Sequence, residues 1–142
     1  MKAKEYLLKI TIYRYQMERI REDMERLYAD AAGVKAIVYD KDRVQISPES
    51  RLESAMIRIE AEAEKWSRKR AQYERELRKR VDQISRLSNP DYVELLTLRY
   101  IETDDKGHML TWETIAERMG WSYSKVTHMH GEALQEFARR YL

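Results

Sequence analysis

The sequence contains no cysteine, which excludes disulfide bonds and thiolate-bound metals. Glycine and proline are scarce, with four and two among 142 residues, so the chain has few built-in breaks for its helices. No apolar run approaches the ~20 residues of a membrane-spanning helix. The opening stretch, MKAKEYLLKITIYRYQ, is too short and too interrupted in its apolar content for a signal peptide. These absences lead to the expectation of a cytoplasmic protein with no membrane partner and no cofactor. Its size is that of one domain, or of a small domain with a long appendage.

What is present in quantity is charge. Asp, Glu, Lys and Arg make up 37% of the chain, with apolar residues spaced regularly among them, a composition of long helices. The formal net charge of +2 is unevenly spread. From Lys65 to Arg86 there are nine basic and three acidic residues, whereas from Asp91 to Leu142 there are six and nine.

The apolar spacing predicts an all-α fold. Tyr6, Ile10, Tyr13, Met17, Ile20, Met24 and Leu27 alternate spacings of four and three, placing one stripe on a helix from residue 3 to about 30. Gly33 is expected to end it. Residues 33–48 then form an ordered connector, with β-prone Ala36–Tyr39 and Val44–Ile46 as candidates for a short hairpin. Ser47 and Pro48 suit the start of a second helix running to about Leu87. Its stripe is Leu52, Met56, Ile59, Ala63, Trp66, Tyr73, Leu77, Ile84 and Leu87, weakened where Arg70 and Arg80 fall on it. This second helix is expected to be about ten residues longer than the first, its basic end projecting beyond their antiparallel pairing. Ser88-Asn89-Pro90 divides the chain into a helical hairpin or coiled coil, 1–88, and a C-terminal domain, 89–142.

That C-terminal domain reads as three helices with a helix-turn-helix. Asp91–Ile101 carries Tyr92, Leu95, Leu96, Leu98 and Ile101 inward, and a polar loop covers Glu102–Leu110. The fourth helix starts at an N-cap Thr111 and runs through Met119. Gly120 supplies a left-handed turn, and Ser122 caps a fifth helix reaching about Arg140. Ile115, Ala116, Met119, Trp121, Val126 and Met129 provide the apolar set that joins two such helices. The opposite face of the fifth helix is free to enter a major groove of double-stranded DNA. Ser122, Tyr123, Ser124, Lys125, Thr127 and His128 are the candidate base- and phosphate-reading residues.

The segments LTLRYIE, TWETIAERMGWSYSKV and HGEALQEF resemble region 4 of sigma-70-type factors. Over nearly the full length the chain is similar to phage and prophage regulators of Gram-positive bacteria of the ArpU/RinA type. The similarity includes the MKAKEYL opening, Val44–Ser47, and the Asn89–Tyr92 step. It implies a DNA-binding activator of phage genes in a bacterial cell, with RNA polymerase as a further partner and Tyr123, Ser124, Lys125, Thr127 and His128 as readers. The chain departs from sigma factors in offering only Lys125 where several Arg are usual.

Two other readings use the same features. One is a protein-interaction module acting on polymerase or a sigma factor, which suits the acidic C-terminal domain. The other is a DNA-packaging protein resembling a small terminase subunit. An enzyme is not expected. No nucleophile–base spacing or phosphate loop is present, and His128 and His130, two apart, face different sides of a helix. Lys65, Arg68, Lys69, Arg75, Arg78 and Lys79 form either a solvated surface paired with acids of the first helix or a second phosphate-contacting surface. The length of the two stripes predicts a homodimer through the helical half.

Overall fold

The computed structural model describes residues 2–40 and 48–142, with the side chains of 34–40 and of Pro48 left aside. The described chain is all-α: α1 spans Lys2–Asp40, α2 Pro48–Ser85, α3 Pro90–Leu96, α4 Trp112–Met119 and α5 Tyr123–Tyr141. A π-helical turn, Thr97–Ile101, continues α3 and closes where the Glu102 amide donates to the Thr97 carbonyl. The long helix pair and the three C-terminal helices agree with the sequence pattern.

Two expectations about the helix pair are corrected. The helix does not stop at Gly33. It continues to Asp40, with no positive φ at Gly33, so Ala36–Tyr39 is helical. One interior glycine costs only about 1 kcal/mol, and β-branched residues less, so a helix flanked by Ala31, Ala32 and Ala36 absorbs both. Val44–Ile46 and Ser47 lie outside the described residues. The helices are also nearly equal, 39 and 38 residues, so α2 is not the longer arm.

By contact the chain forms two compact units, residues 15–74 and residues 1–14 with 75–142. In the first, α1 and α2 lie side by side over Ile20, Ala31 and Ala55, and Leu27 and Asp30 share a groove of about 330 Å³ with Ala55, Arg58, Ile59 and Glu62.

The second unit is built around two apolar clusters. One joins the start of α1 (Ala3, Leu7, Ile10) and the end of α2 (Ile84, Leu87) to Leu96, Tyr100, Ala133, Leu134 and Phe137. The other joins Leu95, Leu110, Ile115, Ala116 and Val126, with Leu98, Trp112, Met119, Trp121 and Met129 packed around them. Neighbouring residues of α3, Leu95 and Leu96, point into different clusters, so this short helix ties the two together.

Arg80 does not weaken the α2 stripe; it is buried within it. Its guanidinium lies 4.0 Å from the Tyr6 ring centroid and 4.9 Å from that of Tyr13. It donates to the Tyr6 carbonyl at 2.9 Å and to the Glu76 carboxylate at 2.8 Å. A buried guanidinium is tolerated when its donors are satisfied in this way. That hydrogen bond also holds the Glu76 carboxyl below the usual carboxylate range. Arg14 donates to the Ile101 carbonyl and Tyr6 to Gln83 at 2.7 Å, so polar as well as apolar contacts bind the start of α1 to this unit.

Candidate functional site

The pairing of α4 and α5 follows from local chemistry at three residues. Thr111 caps α4, its hydroxyl accepting from the Thr114 amide at 3.2 Å. Gly120, at φ 70°, ends α4 in the left-handed region. The Trp121 amide then returns to the Ala116 carbonyl at 3.0 Å and the Gly120 amide to that of Glu117 at 3.2 Å, the paired bonds of a Schellman turn. Trp121 and Ala116, the residues that such a turn brings into apolar contact, both belong to the second cluster. Ser122 caps α5 by accepting from the Lys125 amide at 3.1 Å. Ile115, Ala116 and Val126 are buried beneath the turn, and the boundaries of α4 and the start of α5 fall where the sequence places them.

With Val126 fixed inward, the first two turns of α5 present Tyr123, Ser124, Lys125 and His128 to solvent. Tyr123 is 52% exposed, unusual for so large a side chain. The Lys125 ammonium lies 4.2 Å from the Trp121 ring centroid, a cation–π contact that steers the charge toward the turn. Thr127 is half-buried. Its hydroxyl lies 3.1 Å from both the Tyr123 and Ser124 carbonyls, which engages its single hydrogen and leaves a methyl and oxygen lone pairs for other contacts. Ser122 is committed through its oxygen to the cap, with its hydroxyl hydrogen still to donate. The six residues therefore gather at one helix end.

His128 and His130 separate as their spacing requires. His128 faces outward, its Nε2 3.1 Å from a Glu132 carboxylate oxygen; the other oxygen of Glu132 accepts from the Tyr92 hydroxyl at 3.1 Å. His130 faces inward, its Nε2 2.8 Å from the Tyr100 hydroxyl and its ring 4.6 Å edge-on from Trp112. Burial, with added repulsion from Arg99 and Lys4, pushes the His130 pKa down to about 4. Burial likewise pushes the Tyr100 hydroxyl up to about 12. Both are held neutral, as a packed pair whose imidazole abuts Trp112 at the start of α4. Among the described residues no group of three or more His, Asp or Glu side chains could hold a metal ion. No described helix is long and apolar enough to cross a membrane.

The six candidate phosphate-contacting residues of α2 are all exposed, but they fall in different units. Lys65, Arg68 and Lys69 belong to the 15–74 unit, where Arg68 lies 3.6 Å from Glu64 of its own helix. Arg75, Arg78 and Lys79 belong to the unit that carries α5. Residues 91–142 alone are acidic. Residues 1–14 bring four basic and one acidic side chain, and residues 75–90 bring five and two, so the whole unit is net positive, about +3.

Sequence reasoning missed Glu132 as the neighbour of His128, and Tyr92 as the neighbour of Glu132. The Glu132 position was legible as i+4 from His128, whereas Tyr92 is 40 residues from Glu132 and joins only through the fold. Comparison with family models, with curated proteins and with solved structures finds no match for the chain.

Proposed function

We propose that this protein is a sequence-specific, double-stranded DNA-binding transcription regulator, of the kind encoded by phages and prophages, that acts in the bacterial cytoplasm and catalyses no reaction. The observation that carries the reading is the first two turns of α5. They are capped by Ser122, fixed against α4 by the Gly120 turn, and lined outward by Tyr123, Ser124, Lys125 and His128. A helix end so presented has the width and the donors that a major groove accepts. The unit's net positive charge supports it, because phosphate attraction supplies most nonspecific affinity. We further propose a homodimer formed through the 15–74 unit, where Tyr15, Tyr28 and Ile57 are each more than half exposed.

The test is selection of bound fragments from genomic DNA, followed by titration of the selected site with Lys125→Ala and His128→Ala. Both variants should weaken binding while retaining the parent's circular dichroism. Removing Arg75, Arg78 and Lys79 should instead lower affinity for all sequences alike and reduce the salt slope by about one unit per lost phosphate contact. Variants of α5 that bind as tightly as the parent would refute the reading and turn attention to a polymerase or sigma-factor partner. Light scattering at micromolar concentration tests the dimer, and a monomer or a ring of many chains would refute it.

A further inference from the structure

We infer that the groove between α1 and α2 in the 15–74 unit seats a second copy of this chain, face to face about a two-fold axis, with Arg58 of each copy against Asp30 and Glu62 of the other. The inference rests on the reading of this unit as the site of dimerisation, and it names the face that makes the contact.

A pair of helices is one layer, and an apolar stripe is secure only when a second layer covers it. The 15–74 unit falls short of that. Among its described residues the buried apolar side chains are Ile20, Ala31 and Ala55, two of them alanine. The larger stripe residues Met17, Met24, Leu27, Leu52, Met56 and Ile59 are each only half-buried. In the other unit Leu7, Ile10, Ile84 and Phe137 are fully enclosed. The groove is where the shortfall opens to solvent. Ala55 is the buried member of its lining, and its short side chain leaves a space of about 330 Å³ beside Leu27 and Ile59. The partly open stripe continues past the groove, and Met17 to Leu27 alone is about 15 Å of helix. A surface of that length calls for helices rather than for a small molecule.

Charge identifies which helices. The charged residues lining the groove are Asp30 on α1 and Arg58 and Glu62 on α2. Among the described residues none of the three has a hydrogen bond or ion pair. In a two-fold contact one surface faces itself, so residue i of one copy meets residue j of the other and the reverse. A surface of one sign repels its own copy. This one carries base and acid together, so each Arg58 finds acids opposite it and the pairing is made twice. Apolar area supplies the affinity of such a contact, and the charges set its register and its choice of partner. Two helical hairpins joined in this way make a four-helix bundle.

The test uses the full chain at micromolar concentration, followed by light scattering. Arg58→Glu makes all three groove charges acidic, and Asp30→Arg with Glu62→Arg makes all three basic. Each variant alone should raise the dimer dissociation constant roughly tenfold or more, since exposed pairs turn from attraction to repulsion at two equivalent places. Mixed in equal amounts, the two variants should form a heterodimer about as tight as the parent dimer. No effect confined to one chain gives that recovery. At about 1 M salt the screening length falls to about 3 Å, so the defect of each separate variant should shrink. Circular dichroism follows helicity throughout. A variant that dimerises as the parent does overturns the inference. So does a mixture that fails to recover, whether or not the separate variants keep their helicity. If the parent itself is monomeric, the dimer reading falls and the inference with it. If the dimer survives both groove variants and is lost when the exposed Ile57 is changed, Ile57→Ser, the dimer reading stands and only the inference falls.

Discussion

Replacing Leu7 by Ala removes a side chain with no exposed surface from a cluster whose other members include Tyr100, Ala133, Leu134 and Phe137. Truncating a fully buried Leu to Ala costs about 2–5 kcal/mol, the upper part of the range applying where neighbours cannot collapse into the space. The neighbours of Leu7 sit on three other helices, each fixed elsewhere, which points to about 3 kcal/mol. For a unit of this size 1 kcal/mol shifts the melting temperature by roughly 4–8 °C, so Leu7→Ala should lower it by on the order of 10–20 °C. The assay is thermal unfolding followed by circular dichroism and by the fluorescence of Trp112 and Trp121, with Trp66 replaced by Phe. The two remaining tryptophans report the second cluster, so their transition should move although neither touches Leu7. Ile12→Ala, on the same helix but 52% exposed, should shift stability by less than about 0.5 kcal/mol. A Leu7→Ala protein that melts within about 1 °C of its parent, by the same expectation, would refute the claim that the start of α1 is a structural part of this unit.

Further outcomes follow from the same contacts. A fragment of residues 89–142 should show no cooperative melt, because it lacks Ala3, Leu7, Ile10, Ile84 and Leu87 of its first cluster; adding residues 75–88 alone should not restore one. Gly120→Ala should cost about 1 kcal/mol, since Ala must adopt φ near 70° to keep the turn, and urea melts with unchanged slope would measure it. His130 has a folded pKa near 4 and an ordinary unfolded value near 6.5, so its neutral form contributes stability above pH 6.5 that is lost as the pH falls toward 4. Discounted for partial solvent access, the loss should be on the order of 2 kcal/mol, and urea melts of His130→Gln at pH 7 and pH 4.5 should show a flatter pH slope than the parent. Gly131→Ala should raise stability by about 0.5–1 kcal/mol in the same melts.

The elements that the sequence made legible are those decided by neighbours along the chain. Thr111, Gly120 and Ser122 act within three or five residues of themselves, and they locate α4, the turn and the start of α5. The outward placement of Tyr123, Ser124, Lys125 and His128 follows once Val126 is inward. The end of α1 was not legible, because a local signal at Gly33 is worth only about 1 kcal/mol against a helix that continues on both sides. Arg80 was misread for a different reason. A charge on an apolar stripe is a break unless aromatic faces and acceptors meet it, and those come from Tyr6 and Tyr13, more than 60 residues away. Tyr92 of the candidate site is hidden in the same manner, by a partner 40 positions distant.

The junction of α1's first turns with α5 has a consequence for the protein as it is made. Phe137, which completes the cluster of Ala3 and Leu7, is added about 130 residues after them. At ~5–20 residues per second the interval is roughly 6–26 s, during which the cluster cannot be completed and apolar side chains stand open to chaperones. A chain that stalls before Ala133 never completes it. Such a product keeps two long helices but exposes the apolar side chains that proteases and chaperones engage.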